Sequence, residues 1–412
     1  MRRGKESVGG EADFDSDADV YSSPFLSTDD EQTVLERVKL VMLAPIALAR
    51  AVCIIAISAV LALACSSLMP SAHSPDQPLP ALRRHAITAC TRMCAFLAIV
   101  AAGIVPITKG MHNMCTAKRN RAICVFNHLS YLDILVLVFC YGGTFLAKAG
   151  VDSVPLVGTV AKAMQAVFVE RAGTSDRSSA GRSSGTSALL AQRARDPRFP
   201  MCFVAPEATT HTGKCLLRFQ KGAFVSGLPV APVLLRYPRR RRQFNPAWGV
   251  TDTLIHLYRC ACQLITPVEI RVLPLYWPTE SEKANPREYA ENVRALMSRE
   301  LEVPLCDQGV EECQALLDRG ITAINGRVVY KDPMAVKAAA AMQGDAATAM
   351  QDDGNEPAHR RKHRRVLSDE SDGKALREGE NDSLIGAANG DAYRLAERRE
   401  HAVNGEVRSL EP

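Results

Sequence analysis

The sequence predicts an α/β fold, in which a mixed sheet is flanked by helices, a membrane helix or helical hairpin precedes the sheet, and both termini are disordered. Short apolar runs of strand length alternate with helical stretches between about residues 118 and 301. This alternation is typical of a sheet that helices cover on both faces. Two long apolar segments lie before these runs, and both chain ends are rich in charged and small polar residues.

Four regions follow from these shifts in composition along the 412 residues. Residues 1–34 are acidic, small and polar, so we expect disorder there. Residues 35–110 form a membrane-associated helical segment with one or two spans, and residues 111–325 form the α/β domain. Residues 326–412 mix Ala-rich and charged stretches without periodicity, which predicts a disordered charged tail.

Net charge and cysteine spacing limit the kinds of binding partner and metal site that the chain is expected to have. A formal net charge of +5 does not call for nucleic acid, but it suits anionic lipid headgroups or acidic substrates. The thirteen cysteines show no repeated pair spacing, so neither a disulfide framework nor a zinc site is indicated. Cys260 and Cys262 are interpreted as buried small hydrophobic residues, and reduced thiols facing the cytosol are expected.

The first apolar segment has an uncharged part, Ala51–Leu68, that is about long enough to span a bilayer. Arg50 interrupts the segment and can snorkel to an interface. The alternative is a buried or surface-lying amphipathic helix. The second segment, Ile87–Ile107, is shortened by Arg92, so a second span and a re-entrant helix both stay open.

Basic residues flank this pair of segments mainly on its outer sides. Arg37 and Lys39 come before the pair, and Lys109 and Lys118 come after it. Under the positive-inside rule, this distribution favours a hairpin with both outer flanks in the cytosol.

The strongest local motif follows the strand-like run AICVF. It places His128 at the end of the strand and Asp133 about one turn into the next helix, with Ser130 near the helix N-terminus. A carboxylate in this position can accept a hydrogen bond from one imidazole nitrogen, which leaves the other nitrogen free to remove a proton from a hydroxyl group. The alternative is a capping histidine and an aspartate that only complements the helix dipole.

Three later segments contain candidate phosphate-binding residues. Glu207 and Thr209 lie in a polar, hydroxyl-rich turn after the strand-like run MCFVA, and Lys221 follows this turn. Lys148 and Arg171 each end a strand-like run, where a cation can bind a phosphate. For each of these cations taken alone, a solvated side chain is the alternative. The Ser/Gly-rich stretch between residues 171 and 189 predicts a flexible surface loop.

Taken in order, four motifs resemble those of the phospholipid/glycerol acyltransferase family, and they look closest to its lysophosphatidylcholine and lysophosphatidylethanolamine branch. The family's HxxxxD motif matches His128 and Asp133, and its second motif matches FVER, which ends at Arg171. Its Pro-Glu-Gly-Thr turn matches residues 206–209, with Ala208 in place of the glycine, and its Pro-rich strand matches LPVAPV. The resemblance covers roughly residues 35–320.

The resemblance implies a membrane-bound O-acyltransferase that moves a fatty acyl group from acyl-CoA to the free glycerol hydroxyl of a lysophospholipid. It implies that His128 is the general base and that Asp133 orients it. The phosphate end of the acceptor would then be positioned by Arg171, Glu207, Thr209, Lys148 and Lys221. Acyl-CoA is a co-substrate, and this chemistry requires no cofactor or metal.

Location and acceptor are further expectations from the resemblance. The bilayer is the expected partner, in the endoplasmic reticulum and with the active site facing the cytosol. The alternatives are a lysophosphatidic acid or glycerol-3-phosphate acyltransferase, a thioester hydrolase, and a non-catalytic lipid-binding or scaffold protein. Ala208 motivates the last of these, because glycine permits a positive φ and a close backbone approach that alanine resists.

Overall fold

The computed structural model describes residues 22–27, 32–70, 73, 77–169, 178–238 and 243–330. The strands are β1 (Ile104–Lys109), β2 (Ile123–Phe126), β3 (Thr144–Lys148), β4 (Val167–Val169), β5 (Cys202–Val204), β6 (Val230–Arg236), β7 (Thr266–Val272), β8 (Ile321–Ile324) and β9 (Arg327–Tyr330). The α-helices are α1 (Val34–Met42), α2 (Ala44–Leu68), α3 (Ala81–Ala102), α4 (Met111–Arg119), α5 (Leu132–Tyr141), α6 (Val157–Ala163), α7 (Ser178–Arg195), α8 (Thr253–Ala261), α9 (Glu280–Ala284), α10 (Pro286–Leu301) and α11 (Val310–Asp318).

A seven-stranded sheet has the strand order β1-β7-β6-β2-β5-β3-β4. The β6–β7 pair is antiparallel, and the other neighbouring pairs are parallel. The central strands β2 and β6 are almost wholly buried, which explains their continuous apolar sequences. The predicted mixed α/β fold is therefore confirmed.

Two apolar clusters cover the opposite faces of the sheet. Phe126 and Val233 point into the cluster that contains residues of α3, α4 and α5. Val125 and Leu234, their neighbours along the same strands, point into the cluster that contains residues of α7 and α10. Side chains alternate between the faces of a strand, so β2 and β6 contribute to both clusters.

Two helices have the length and composition of membrane spans. The most apolar window of α2 has a mean hydropathy of 2.5, and that of α3 has a mean hydropathy of 1.6. Both apolar segments form long helices, and whether the second one spans the bilayer or is re-entrant stays a prediction. The second helix ends at Ala102, whereas the predicted apolar segment continued to Ile107. Gly103 adopts a φ of +71° and terminates the helix. Ile104–Lys109 instead pairs with β7 as an edge strand.

The two arginines that interrupt the apolar segments join these helices to the α/β domain. Arg50 in α2 donates to the carbonyl oxygens of Ala261, at 2.9 Å, and of Gln263, both near the end of α8. Arg92 in α3 donates to the carbonyl oxygen of Phe139, at 3.0 Å, in the last turn of α5. Carbonyl groups in the last turn of a helix lack partners within the helix, so each guanidinium group caps a helix C-terminus.

Several predicted boundaries are corrected by packing. Phe25 and Leu26, within the region expected to be disordered, are 0 % exposed and lie in an apolar cluster beside α11. At the other end, β9 (Arg327–Tyr330) pairs with β8, although a tail was predicted from residue 326. Pairing and burial at these sites supply stabilisation that composition alone does not indicate. Residues 1–21, 28–31 and 331–412, the remaining parts of the predicted disordered termini, lie outside the described residues.

The Ser/Gly-rich stretch is also corrected. Helix α7 runs over Ser178–Arg195 and therefore extends into the predicted flexible loop. Its last turns contain good helix formers, and Leu190 and Arg193 are buried at 2 % and 4 % exposure. Tertiary packing of these turns extends the helix back through residues of low helix propensity. Residues 170–177 of the same stretch lie outside the described residues.

Replacing Phe25 by alanine tests whether the N-terminal segment is part of the folded domain. We expect Phe25→Ala to destabilise the protein by about 3–5 kcal/mol, because a wholly buried aromatic side chain would leave a cavity. Chemical denaturation in detergent measures this loss. Trp277→Ala is the matched control, since that aromatic side chain is 60 % exposed. Similar stabilities for the two variants would contradict the packing of residues 23–26.

Candidate active site

The candidate site begins where β2 ends. The side chain of Asn127 continues the pairing with β6, since its Nδ2 donates to the carbonyl oxygen of Leu235 at 2.9 Å and its Oδ1 accepts from Leu235 N at 2.8 Å. The side chain therefore replaces one step of backbone pairing, and the main chain is free to leave the sheet. His128 follows immediately, at the carboxyl end of a central strand.

The loop after His128 closes around the carboxylate of Asp133. Asp133 Oδ2 accepts hydrogen bonds from Leu129 N at 2.7 Å and from Ser130 N at 2.8 Å. His128 Nδ1 lies 2.9 Å from the same oxygen. The carboxylate therefore reaches back to the imidazole, as the spacing of the two residues predicts.

Tyr237 completes the environment of this carboxylate. Its hydroxyl donates to Asp133 Oδ1 at 2.5 Å, and the residue directly follows β6, the neighbour of β2 in the sheet. Burial and the charge of Asp133 raise the pKa of Tyr237 well above its ordinary value, so the hydroxyl stays protonated. Sequence reasoning missed this residue, because 104 positions separate it from Asp133 and the strand order that joins them is not written in any local motif.

The difference in exposure between His128 and Asp133 is favourable for proton transfer. The side chain of Asp133 is 0 % exposed, whereas that of His128 is 21 % exposed. If Nδ1 carries the proton that is shared with Asp133, Nε2 is the basic nitrogen of the neutral ring. Among the described residues, none forms a hydrogen bond with Nε2. The arrangement therefore presents an oriented base to its surroundings and keeps the counter-charge inside.

The side chain of Glu207 points into the protein interior. Its Oε2 accepts from His128 N at 2.7 Å, and its Oε1 accepts from Leu217 N at 3.0 Å. His211 Nε2 lies 2.9 Å from Oε1, which is an ion-pair distance without hydrogen-bond geometry. Glu207 is 0 % exposed, so this conformation does not present it to a lipid. Contrary to the expected role at the acceptor phosphate, the carboxylate here fixes the backbone of His128.

The turn after Glu207 adopts the conformation that the family's glycine would favour. Ala208 has a φ of +59°, in the left-handed region. Thr209 is half-buried, and its hydroxyl donates to Cys313 Sγ at 3.6 Å. The turn therefore forms with alanine, although a Cβ in this region introduces strain.

Two of the three candidate cations lie among the described residues. Lys221 is exposed at the start of a short 3-10 turn, which a hydrogen bond of 2.7 Å from Gln220 N to the carbonyl oxygen of Pro206 ties to the Glu207 loop. Lys148 ends β3, the strand that follows β5 in the sheet, and its backbone is paired with Val169. Arg171 lies outside the described residues.

An aromatic cluster supports the loop from the other side. Trp248 N donates to the carbonyl oxygen of Leu129 at 2.6 Å. The ring centroid of Tyr131 lies 5.1 Å from that of Trp248 and 5.8 Å from that of His256. Burial lowers the pKa of His256 to about 4, so this imidazole is neutral at physiological pH. His256 of α8 therefore contacts Tyr131 and Trp248, which pack against the loop after His128.

Ala208→Gly tests the strain in the Glu207 loop. We expect this variant to be more stable by about 0.5–1 kcal/mol, because relief of the left-handed strain exceeds the extra chain entropy of glycine. Thermal unfolding measures the change. Ala315→Gly in α11 is the control and is expected to lose about 1 kcal/mol. Destabilisation by both substitutions would show that Ala208 is unstrained.

The part of the chain that contains these residues is similar to known proteins. A family model described as Acyltransferase matches residues 109–236. A lysophospholipid acyltransferase of Arabidopsis thaliana, LPEAT1, is 37 % identical over 192 residues, which are 46 % of this chain and 46 % of the relative. Lysophosphatidylcholine acyltransferase 1 of Rattus norvegicus is 31 % identical over 261 residues, which are 62 % of this chain and 46 % of the relative.

The chain thus spans less than half the length of these curated relatives. A solved structure, the 1-acyl-sn-glycerophosphate (LPA) acyltransferase PlsC from Thermotoga maritima, aligns with a TM-score of 0.37 and 20 % identity, over 54 % of this chain and 82 % of that chain. His128, Asp133, Glu207 and the strand before Tyr237 all fall within the residues that the family model matches. The part of the chain that carries the candidate site, residues 109–236, is therefore the part that matches the Acyltransferase family model.

Proposed function

We propose that the protein is a membrane-bound lysophospholipid O-acyltransferase, which transfers a fatty acyl group from acyl-CoA to the free glycerol hydroxyl of a lysophospholipid. One observation carries the chemistry: His128 Nδ1 lies 2.9 Å from a wholly buried carboxylate, while its ring remains partly exposed. The names of the relatives support lysophospholipids as the acceptor class. The apolar helices α2 and α3 support attachment to a membrane.

His128 would act as the general base and Asp133 as its orienting partner. Nε2 removes the proton of the glycerol hydroxyl as the hydroxyl oxygen attacks the carbonyl carbon of the thioester. When the tetrahedral intermediate collapses, the carbon–sulfur bond breaks and the imidazolium returns the proton to the CoA sulfur. Buried Asp133 stabilises the transient imidazolium, as the carboxylate does in hydrolytic triads.

The remaining candidate residues would position the reactants. We assign the phosphate end of the acceptor to Arg171, Lys148 and Lys221, and a contact from the polar turn to Thr209. Glu207 acts through the backbone of His128, which its carboxylate holds at 2.7 Å, and not through the lipid. It is therefore a positioning residue in this proposal.

The proposed location is the endoplasmic reticulum membrane, with the active site facing the cytosol. Its support is the position of Arg37 and Lys39 before α2 and of Lys109 after α3, under the positive-inside rule. A pair of membrane-length helices would return the chain to the side on which it started, so the α/β domain and α1 would share one side.

Substituting His128 or Asp133 tests the mechanism. We expect His128→Ala and Asp133→Asn to lower acyl transfer by at least about a hundredfold, because general-base catalysis is lost. The assay uses one labelled acyl-CoA with lysophosphatidylcholine, lysophosphatidylethanolamine, lysophosphatidic acid or glycerol 3-phosphate, and a control without acceptor. His112→Ala, at an exposed histidine of α4, is the control variant and should retain full activity.

Each alternative function predicts a different pattern in this assay. Transfer only to lysophosphatidic acid or glycerol 3-phosphate would change the acceptor class. CoA release without acceptor would identify a thioester hydrolase, and lipid binding without CoA release would identify a scaffold. Full activity of either purified site variant would contradict the mechanism.

Tyr237→Phe tests whether the tyrosine hydroxyl holds the carboxylate in place. We expect kcat to fall by about tenfold or more with little change in KM, because a hydrogen bond to a buried charge is lost. Steady-state kinetics measures this split. Tyr276→Phe is the matched control, since that hydroxyl donates to Glu282 Oε1 at 2.6 Å outside the site. Equal kcat values for the two variants would assign Tyr237 a purely structural role.

A further inference from the structure

Helix α8 has its polar and apolar sides reversed relative to a water-facing helix. Its inward side chains include His256 and Arg259, each 4 % exposed. Its outward side chains include Leu254 at 76 %, Leu257 at 42 % and Tyr258 at 38 % exposure. A helix at the surface of a soluble domain normally buries the apolar stripe and exposes the charges. The outer face of α8 is therefore suited to an apolar environment.

The inward charge of α8 is neutralised by α1. Arg259 Nη2 lies 2.7 Å from Glu36 Oε1, and the guanidinium carbon lies 4.0 Å from the centre of the Phe244 ring. Tyr258 also donates from its hydroxyl to the carbonyl oxygen of Leu40, at 2.6 Å. These contacts fix α1 beside α8.

Helix α1 extends the apolar surface. Its exposed apolar side chains range from 54 % to 77 % exposure and are Val34, Leu35, Val38, Val41 and Met42. Beyond the end of α8, Leu264 and Ile265 are 57 % and 62 % exposed. The basic residues of α1 are Arg37, which is exposed, and Lys39, which is half-buried, whereas its acidic residue, Glu36, is paired with Arg259. An apolar surface with basic residues at its edge matches the boundary between acyl chains and anionic headgroups.

This surface is continuous with the helices of membrane length. Arg50 of α2 donates to the carbonyl oxygens of Ala261 at 2.9 Å and of Leu264 at 3.2 Å. The final residues of α8 and the Leu264–Ile265 turn therefore lie against α2. The most apolar window of α2 has a mean hydropathy of 2.5, and only 11 % of it is buried, so α2 itself exposes an apolar surface next to this contact.

We infer that α1, the outer face of α8 and the Leu264–Ile265 turn form a lipid-contacting surface, which lies in the bilayer interface beside α2 and α3. The occupant is the bilayer itself, at the depth where acyl chains meet anionic headgroups. The inference rests on the membrane attachment in the proposed function, but not on acyl transfer. It adds a contact from within the α/β domain to the contact that the two long helices supply.

The inner side of α8 packs against residues that contact the loop of His128, so the lipid-contacting surface lies close to the candidate site. His256 packs against Trp248 and Tyr131, with ring centroids 6.1 Å and 5.8 Å away, and Trp248 N holds the carbonyl oxygen of Leu129 at 2.6 Å. Only one helix, about 10 Å in diameter, therefore separates the lipid-contacting surface from the loop that carries His128.

Tryptophan fluorescence in nanodiscs tests the surface directly. The full chain is placed in discs of phosphatidylcholine and phosphatidylserine, with plain or brominated acyl chains, since bromine quenches nearby indole groups. Leu257→Trp reports on the outer face of α8, where the native side chain is 42 % exposed. Val225→Trp is the matched control at 43 % exposure, next to Phe224 in the cluster on the other face of the sheet.

We expect brominated lipid to quench the added fluorescence of Leu257→Trp by at least twofold and to leave that of Val225→Trp unchanged. Leu254→Trp repeats the test at a side chain that is 76 % exposed, where the substitution removes little packing. The native tryptophans, Trp248 and Trp277, give the same background in all variants.

Two outcomes would overturn the inference. Equal quenching of Leu254→Trp, Leu257→Trp and Val225→Trp, or quenching of none, would remove the special role of α8. A blue-shifted but unquenched spectrum would show that protein, such as a second copy of the chain, covers this face. The measurement contains neither acyl-CoA nor acceptor, so a failure of the proposed acyl transfer leaves its result unaffected.

Discussion

The buried carboxylate of Asp133 is the constraint on which the rest of the site depends. It is 0 % exposed and receives hydrogen bonds from two backbone amides, one imidazole and one tyrosine hydroxyl. A charge in such a place persists only when its donors are held in position, because an unpaired buried carboxylate costs several kcal/mol. The strand ends of β2 and β6, the start of α5 and the loop between β2 and α5 must therefore form together.

Helix α5 connects this carboxylate to the two long apolar helices. Asp133 lies in its first turn, and Arg92 of α3 caps its last turn through the carbonyl oxygen of Phe139. Arg50 makes the equivalent connection from α2 to the end of α8, whose inner side packs against the loop of His128. Both long apolar helices thus reach the site through one intervening helix each.

The sequence predicts the parts of the site that depend on local spacing. His128 and Asp133 lie five positions apart, so a short loop and the first residues of α5 are sufficient to bring imidazole and carboxylate together. Tyr237 and the inward turn of Glu207 depend on which strands become neighbours, and no local pattern encodes that order. The packed segment at Phe25 was missed for a related reason. Its partners include Leu217 and Val250 as well as residues of α11 and β8, all of them far along the chain from Phe25.

The two arginine joints have a consequence for how the sequence can change over time. Arg50 and Arg92 both donate to main-chain carbonyl oxygens, which every amino acid supplies. Substitutions at Ala261 or Phe139 therefore leave the acceptor atom in place, and the hydrogen bond itself constrains only the arginine of each pair. The residues that supply these carbonyl oxygens can therefore change, while the hydrogen bonds from the two apolar helices are retained.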